Sequence, residues 1–165
     1  MNKRWISLFV ENEVGVLARV AGLFSGKLYN LDSLTVGETE DRTISRMTIG
    51  CMADDQTFEQ ILKQLNRMVE VIKVIDFTDV ARHTKEILFV RINNCDEQDK
   101  TELFRIEKVF DIQVIDYDKK RIEIQSVQSS ERNDELIALL NRFFLNRIEV
   151  VRGGSVAIEA LNSLT

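Results

Sequence analysis

Residues 9–30 read FVENEVGVLARVAGLFSGKLYN. An apolar run, Ile6 to Val10, enters this stretch as a buried strand, and Glu11, Asn12 and Glu13 break it. Gly15 then opens a segment with Val16, Leu17, Val20, Leu23 and Phe24 at positions i, i+1, i+4, i+7 and i+8, one stripe of an amphipathic helix. A strand feeding a helix through a short polar loop leaves free backbone N–H groups at the helix start, where the macrodipole also favours an anion. Asn12 adds an amide that both donates and accepts. Two readings stay open. The loop could hold a small zwitterion, with its carboxylate on the helix N-terminus and its ammonium on Asn12 and nearby carbonyls. The plainer reading, which local physics favours, is a short turn with Asn12 capping the helix and Gly15 relaxing the backbone.

Working outward, the 165 residues suit one mid-sized domain or two small ones, and 44% hydrophobic with 30% charged residues is ordinary for a soluble globular protein. The net charge is −5, and the longest basic cluster, Lys119-Lys120-Arg121, sits between two alternating strands as a solvated turn. The electrostatic footprint of a nucleic-acid binder is missing. No apolar run approaches the roughly 18 residues of a membrane span. The start of the chain has an apolar run too short for a secretory signal. Cys51 and Cys95 lie far apart, which suggests neither a disulfide framework nor a metal cluster and fits a reducing cytoplasm.

The same order of elements occurs twice. The first copy has a strand near residues 4–10, a helix near 15–27 and a short strand at 31–36. A turn at 38–41 and a strand at 44–52 follow. Phe58, Ile61, Leu62, Leu65 and Met68 mark a second helix, and a strand at 71–77 closes the unit. That is β-α-β-β-α-β, the ferredoxin-like order. Residues 78–84, TDVARHT, are polar, lack periodicity and read as a linker.

The second copy has a strand at 86–92, a helix stripe of Leu103, Ile106, Val109 and Phe110, and a hairpin of 112–117 with 122–127. A helix carrying Leu136, Ile137, Leu140 and Phe143 precedes a last strand at 148–158, interrupted at Gly153-Gly154. The expectation is an α+β protein with a domain over residues 1–78, a linker over 79–84 and a second ferredoxin-like domain over 85–165.

The copies differ where function could lie. The second has no ENEVG loop; its first strand runs into Asn93-Asn94-Cys95-Asp96. Gly153-Gly154 follows Val150-Val151-Arg152 with no helix stripe opening after it, so a bulge or bend is a better reading than a phosphate loop. The lone histidine, His83, lies in the linker, so nucleophile pairs lack a partner. Carboxylates scatter along polar faces and turns, and HExxH, CxxC and GxSxG are absent. These features point to a non-enzyme.

With ENEVGVLARVAGLFSGKLYNLDSLTVGETEDRTISRMTIG on the page, the chain resembles the small, regulatory subunit of acetolactate synthase (acetohydroxyacid synthase), whose N-terminal part is an ACT domain. The segments LKQLNRMVEVIKV, EILFVRI, FDIQVID and VVRGGSVAI extend the likeness over nearly the whole chain. The resemblance implies a non-catalytic regulatory homodimer that binds and stimulates the catalytic subunit and confers feedback inhibition by valine in branched-chain amino acid biosynthesis. This chain would need no cofactor or metal of its own; thiamine diphosphate, Mg²⁺ and FAD would belong to the catalytic subunit. By motif position, the valine site would comprise Asn12, Gly15, Val16, Asn30 and Leu31. One departure stands out. The family reads R-G-Y-N where this chain has Lys27-Leu28-Tyr29-Asn30. A left-handed cap is costly for Leu28, so Gly26 is the expected replacement, with the path into Asn30 shifted.

Independently of the family, the second strand of such a sheet lies at an edge, and residues 31–36 carry no Pro or Lys to block pairing with a second copy. That would bring Asn30 of one copy near the ENEVG loop of another. Alternation along the first strand places Ile6, Leu8 and Val10 toward the helices and Trp5 and Phe9 in an apolar patch on the open face, available to the catalytic subunit. Two other functions compete: a tandem ACT-domain sensor of another amino acid, and an RNA-binding module. The second lacks aromatic strand motifs at 44–52 and 122–127.

Overall fold

The computed structural model describes residues 1–26 and 29–161. Each copy forms a four-stranded antiparallel sheet carrying two helices, the βαββαβ order expected. In the first unit the elements are β1 (Asn2–Glu11), α1 (Val16–Gly26), β2 (Leu31–Glu38), β3 (Ile44–Ala53), α2 (Asp55–Leu65) and β4 (Val71–Asp76). The sheet order is β2-β3-β1-β4, so β2 is an edge. In the second unit β5 (Arg82–Ile92), α3 (Glu97–Phe110), β6 (Gln113–Tyr117), β7 (Ile122–Gln128), α4 (Ser130–Phe143) and β8 (Ile148–Glu159) repeat the pattern, with order β6-β7-β5-β8. No helix among the described residues is long and apolar enough to cross a membrane.

The helix side of the first sheet holds its core. Ile6, Leu8 and Val10 of β1 and Met47, Ile49 and Cys51 of β3 pack against Val16, Val20 and Phe24 of α1 and Phe58, Ile61 and Leu65 of α2. Leu17, on the sequence stripe, is largely exposed instead. Burial pushes the Cys51 thiol up to about 11, which leaves it inert at neutral pH.

The opposite face of this sheet is covered by the chain itself. Compact packing divides the chain into Thr84–Gly154 and a first unit that takes Met1–His83 together with the chain from Ser155 on. There Ser155 N–H donates to Ser33 Oγ (2.9 Å), and Thr35 Oγ1 donates to Ser155 C=O (2.8 Å). Ala157 packs with Trp5 and Phe77. Arg46 donates to Ser7 Oγ (2.9 Å) and to Ala157 C=O (3.2 Å), with its guanidinium over Phe9 and Phe77. Trp5 is only 5% exposed. The expected open patch at Trp5 is therefore corrected. Period-two alternation assigns residues to faces but carries no information about which distant segment covers a face.

In the second unit Leu88, Val90 and Ile92 meet Leu103, Ile106, Leu136, Leu140 and Phe144. Phe144, not the expected Phe143, enters the core, because it follows α4 as its cap and the chain turns inward there. A polar network runs from the interior to the surface. Glu86 is 5% exposed and Asn133 is fully buried. Arg152 donates to Glu86 Oε1 (2.9 Å) and Asp134 Oδ1 (2.6 Å), Asn133 Nδ2 to Glu86 Oε1 (3.1 Å), and Ser126 Oγ to Asn133 Oδ1 (2.7 Å). Beside Arg152, β8 continues through Gly153-Gly154, and the backbone departs from strand geometry there at Gly154. Gly154 takes φ = 76°, a conformation glycine adopts without strain. Exposed apolar side chains cluster on the open side of this second sheet, at Ile87, Phe89, Ile115, Val127 and Val151.

Candidate functional site

The loop after β1 is fastened from both sides. Glu11 N–H donates to Glu70 C=O (2.9 Å) and Asn12 N–H to Thr43 C=O (2.7 Å). The Asn12 amide is engaged as well: Nδ2 donates to Arg42 C=O (2.9 Å) and Glu38 Oε1 (3.3 Å), and Oδ1 accepts from Ser45 Oγ (3.0 Å). Asn12 therefore does not cap α1, as the plainer reading had it; its amide ties the loop to the β2–β3 hairpin. Asp41 shapes that hairpin by accepting from Thr43 N–H (2.9 Å) and Thr43 Oγ1 (2.7 Å), and the hydroxyl bond holds its carboxyl below the usual carboxylate range. This turn delivers the Arg42 and Thr43 carbonyls to Asn12. None of the side-chain partners Glu38, Arg42 and Ser45 has a sequence signal of its own; pairing across a hairpin is needed to find them.

Past Asn12 the chain turns at Val14, which is fully exposed, and Gly15 takes φ = 88°. Val16 N–H makes a long bond to Glu13 C=O (3.3 Å), and Gly15 C=O accepts from Arg19 N–H (3.0 Å). α1 has no acidic residue in its first turn. The other helices do: Asp54 caps α2 ahead of Asp55, Asp96 caps α3 with Asp99 in a capping box, and Ser129 caps α4 ahead of Glu131. At α1 the first turn supplies no carboxylate of its own; Arg19, paired with Glu70 at 2.8 Å, lies beside Gly15 instead. A shallow cleft of about 450 Å³ beside the loop is lined by Glu11, Asn12, Glu13, Arg42, Thr43, Ile44 and Ile72.

The five residues of the expected site fall into two groups. Asn12, Gly15 and Val16 stand at one end of the sheet, where β1 pairs Glu11 with Ile44 and β2 pairs Glu38 with Ser45. Leu31 pairs with Cys51 at the other end, and exposed Asn30 precedes it. Cys51 is seven residue steps along β3 from Ile44, or about 23 Å along a strand. A single chain does not bring the two groups together. Leu28 lies outside the described residues. Gly26 remains inside α1 and is absent from the positive-φ positions, so it does not form the left-handed cap expected of it. Tyr29 N–H closes the helix end on Phe24 C=O at 3.0 Å.

The equivalent place in the second unit is built differently. Cys95 N–H donates to Lys120 C=O (2.7 Å), matching the Asn12–Thr43 bond, but the helix start there is filled by the chain's own groups. Asp96 Oδ1 accepts from Asp99 N–H (2.8 Å), and Arg147 grips the Asp99 carboxylate with both nitrogens at 2.7 and 3.2 Å. That grip holds the Asp99 carboxyl below its ordinary range.

Comparison with known proteins bears on both halves. Residues 6–73 match the family model of the AHAS small subunit-like ACT domain, and residues 85–161 match that of the small subunit of acetolactate synthase. The acetolactate synthase small subunit of Aquifex aeolicus is 37% identical over 158 residues, 96% of this chain and 81% of that protein. The chain belongs to the acetolactate synthase small-subunit family. Within that family, the isozyme 3 small subunit of Escherichia coli is 37% identical, with 94% of each chain covered. The crystal structure of the Thermotoga maritima acetolactate synthase small subunit matches with a TM-score of 0.88 and 31% identity, over 98% of this chain and 99% of that one. The ENEVG loop, α1 and the start of β2 all fall in the part matched as the ACT domain.

Proposed function

We propose that this chain is the regulatory subunit of an acetolactate synthase: it binds and stimulates the catalytic subunit and imposes feedback inhibition by valine. Membership of the small-subunit family carries the reading. The loop geometry supports the effector part of it. Valine is a zwitterion, and the first unit offers both halves of a match: a helix start with no acidic residue in its first turn and with Arg19 beside it, and an acid-rich loop around Asn12. The carboxylate sits on the Gly15–Val16 amides. The ammonium lies near Asn12 and Asn30. Because Asn30 and Leu31 stand at the far end of the sheet, the site closes only when β2 of one copy pairs edge to edge with a second copy. Ligand binding and dimer geometry then become one equilibrium, through which valine acts on the partner enzyme. The second unit, its helix start already filled by Asp96, Asp99 and Arg147, takes no part in effector binding.

The test is reconstitution. The purified chain makes no acetolactate with thiamine diphosphate and Mg²⁺ supplied, raises the activity of its catalytic subunit, and makes that activity sensitive to valine. Turnover by the chain alone, or failure to stimulate, overturns the reading. Asn30→Ala tests the shared site. It removes a hydrogen bond to a charged group, worth about 1.5–3 kcal/mol, and valine affinity measured by calorimetry falls about tenfold to over a hundredfold. Unchanged affinity places the site elsewhere.

A further inference from the structure

We infer that Ser45 is a positioning residue for the amino group of the effector, acting through Asn12, with Glu38 as the charged member of the same network. The inference rests on the effector reading of the first unit. Arg42 C=O can only accept, so the Asn12 face turned toward it is Nδ2. Both hydrogens of that nitrogen are then taken, by Arg42 C=O and Glu38 Oε1. The Asn12 side chain has no donor left for a carboxylate. What remains is one lone pair on Oδ1, whose other lone pair accepts from Ser45 Oγ at 3.0 Å. Ser45 is buried, held in β3 by pairing with both Val10 and Glu38, so its hydroxyl is fixed by the sheet. The amide is locked as an acceptor, and three acidic residues, Glu11, Glu13 and Glu38, stand around it against one cationic residue, Arg42. That chemistry selects an ammonium. It distinguishes an amino acid from the same acid without its amine, such as a 2-oxo acid or a simple branched carboxylate.

Without Ser45 Oγ the amide loses the bond that fixes Oδ1, while the helix-start amides that take the carboxylate are untouched. The loss should therefore be confined to ligands that carry an amine. The experiment titrates the full-length wild-type chain, Ser45→Ala and Ser45→Thr with valine and with 3-methylbutanoate, which is valine lacking its amino group, by nuclear magnetic resonance. Ser45→Ala is expected to weaken valine about tenfold, the scale of a lost bond in a charged network. Ser45→Thr keeps the hydroxyl and retains valine binding, and 3-methylbutanoate binds all three proteins alike. Unchanged valine affinity in Ser45→Ala, or an equal loss for both ligands, overturns the inference and leaves the effector site standing. A wild-type chain that binds no amino acid overturns the effector reading itself. Glu38→Gln, at an exposed position, gives the same selective loss and carries the test if the Ser45 variants do not fold.

Discussion

Trp5→Ala is expected to unfold the first unit about 12 °C or more below the wild type, with the transition followed by calorimetry and circular dichroism. The indole is 5% exposed, packs with Phe77 and Ala157 and lies over Gly50, where an added Cβ would come within 3.2 Å of the ring. Removing so large a buried side chain costs about 3–5 kcal/mol, through lost transfer free energy and the cavity left behind. In a unit of this size each kcal/mol lowers the midpoint by about 4–8 °C. Were the ring part of a free docking patch, the same change would leave the midpoint in place and abolish only stimulation. Thermal unfolding separates the two.

Arg152→Met should destabilise the second unit by about 1–3 kcal/mol, the cost of leaving a buried polar group short of a partner, less than for a fully buried pair because the Arg152 side chain is 36% exposed. Glu86, itself 5% exposed, would keep only Asn133 as a close donor. The double change Arg152→Met with Glu86→Leu removes the stranded charge and should recover most of the loss, since replacing a whole buried pair by apolar residues is often neutral. Denaturant titration of the wild type, both single variants and the double variant measures the coupling. A double variant no better than Arg152→Met would place the network's contribution in shape, not charge.

Much of this architecture was legible in the residues because it depends on short-range periodicity. The stripe of Val16, Val20 and Phe24 and the alternation of Ile6, Leu8 and Val10 fixed two helix-facing surfaces before any tertiary contact was known. The same rules misplaced Leu17 and Phe143, at the ends of stripes, where one residue of rotation moves a side chain from core to solvent. Features made by distant partners were not legible. Nothing near Trp5 announces Ala157, and nothing near Asn12 announces Ser45, Arg42 or Glu38. The site residues themselves came from family resemblance. Local physics favours the plain capped turn for the loop, and it could not reveal that Asn30 stands a sheet's length away from Gly15 in the same chain.

Because Ser155 and Ala157 complete the first unit, that unit is finished last during synthesis. Phe77 leaves the ribosome 78 residues ahead of Ser155, and at about 5–20 residues per second this is a delay of about 4–16 s. For that interval Trp5 and Phe77 are without their cover, on a sheet whose β2 edge is also unpaired. The nascent first unit exposes apolar surface for that time, and it acquires its final face only after the second unit has been made. A chain cut between Gly154 and Ser155 would hold all residues of the second unit and a first unit with an aromatic face open to its neighbours.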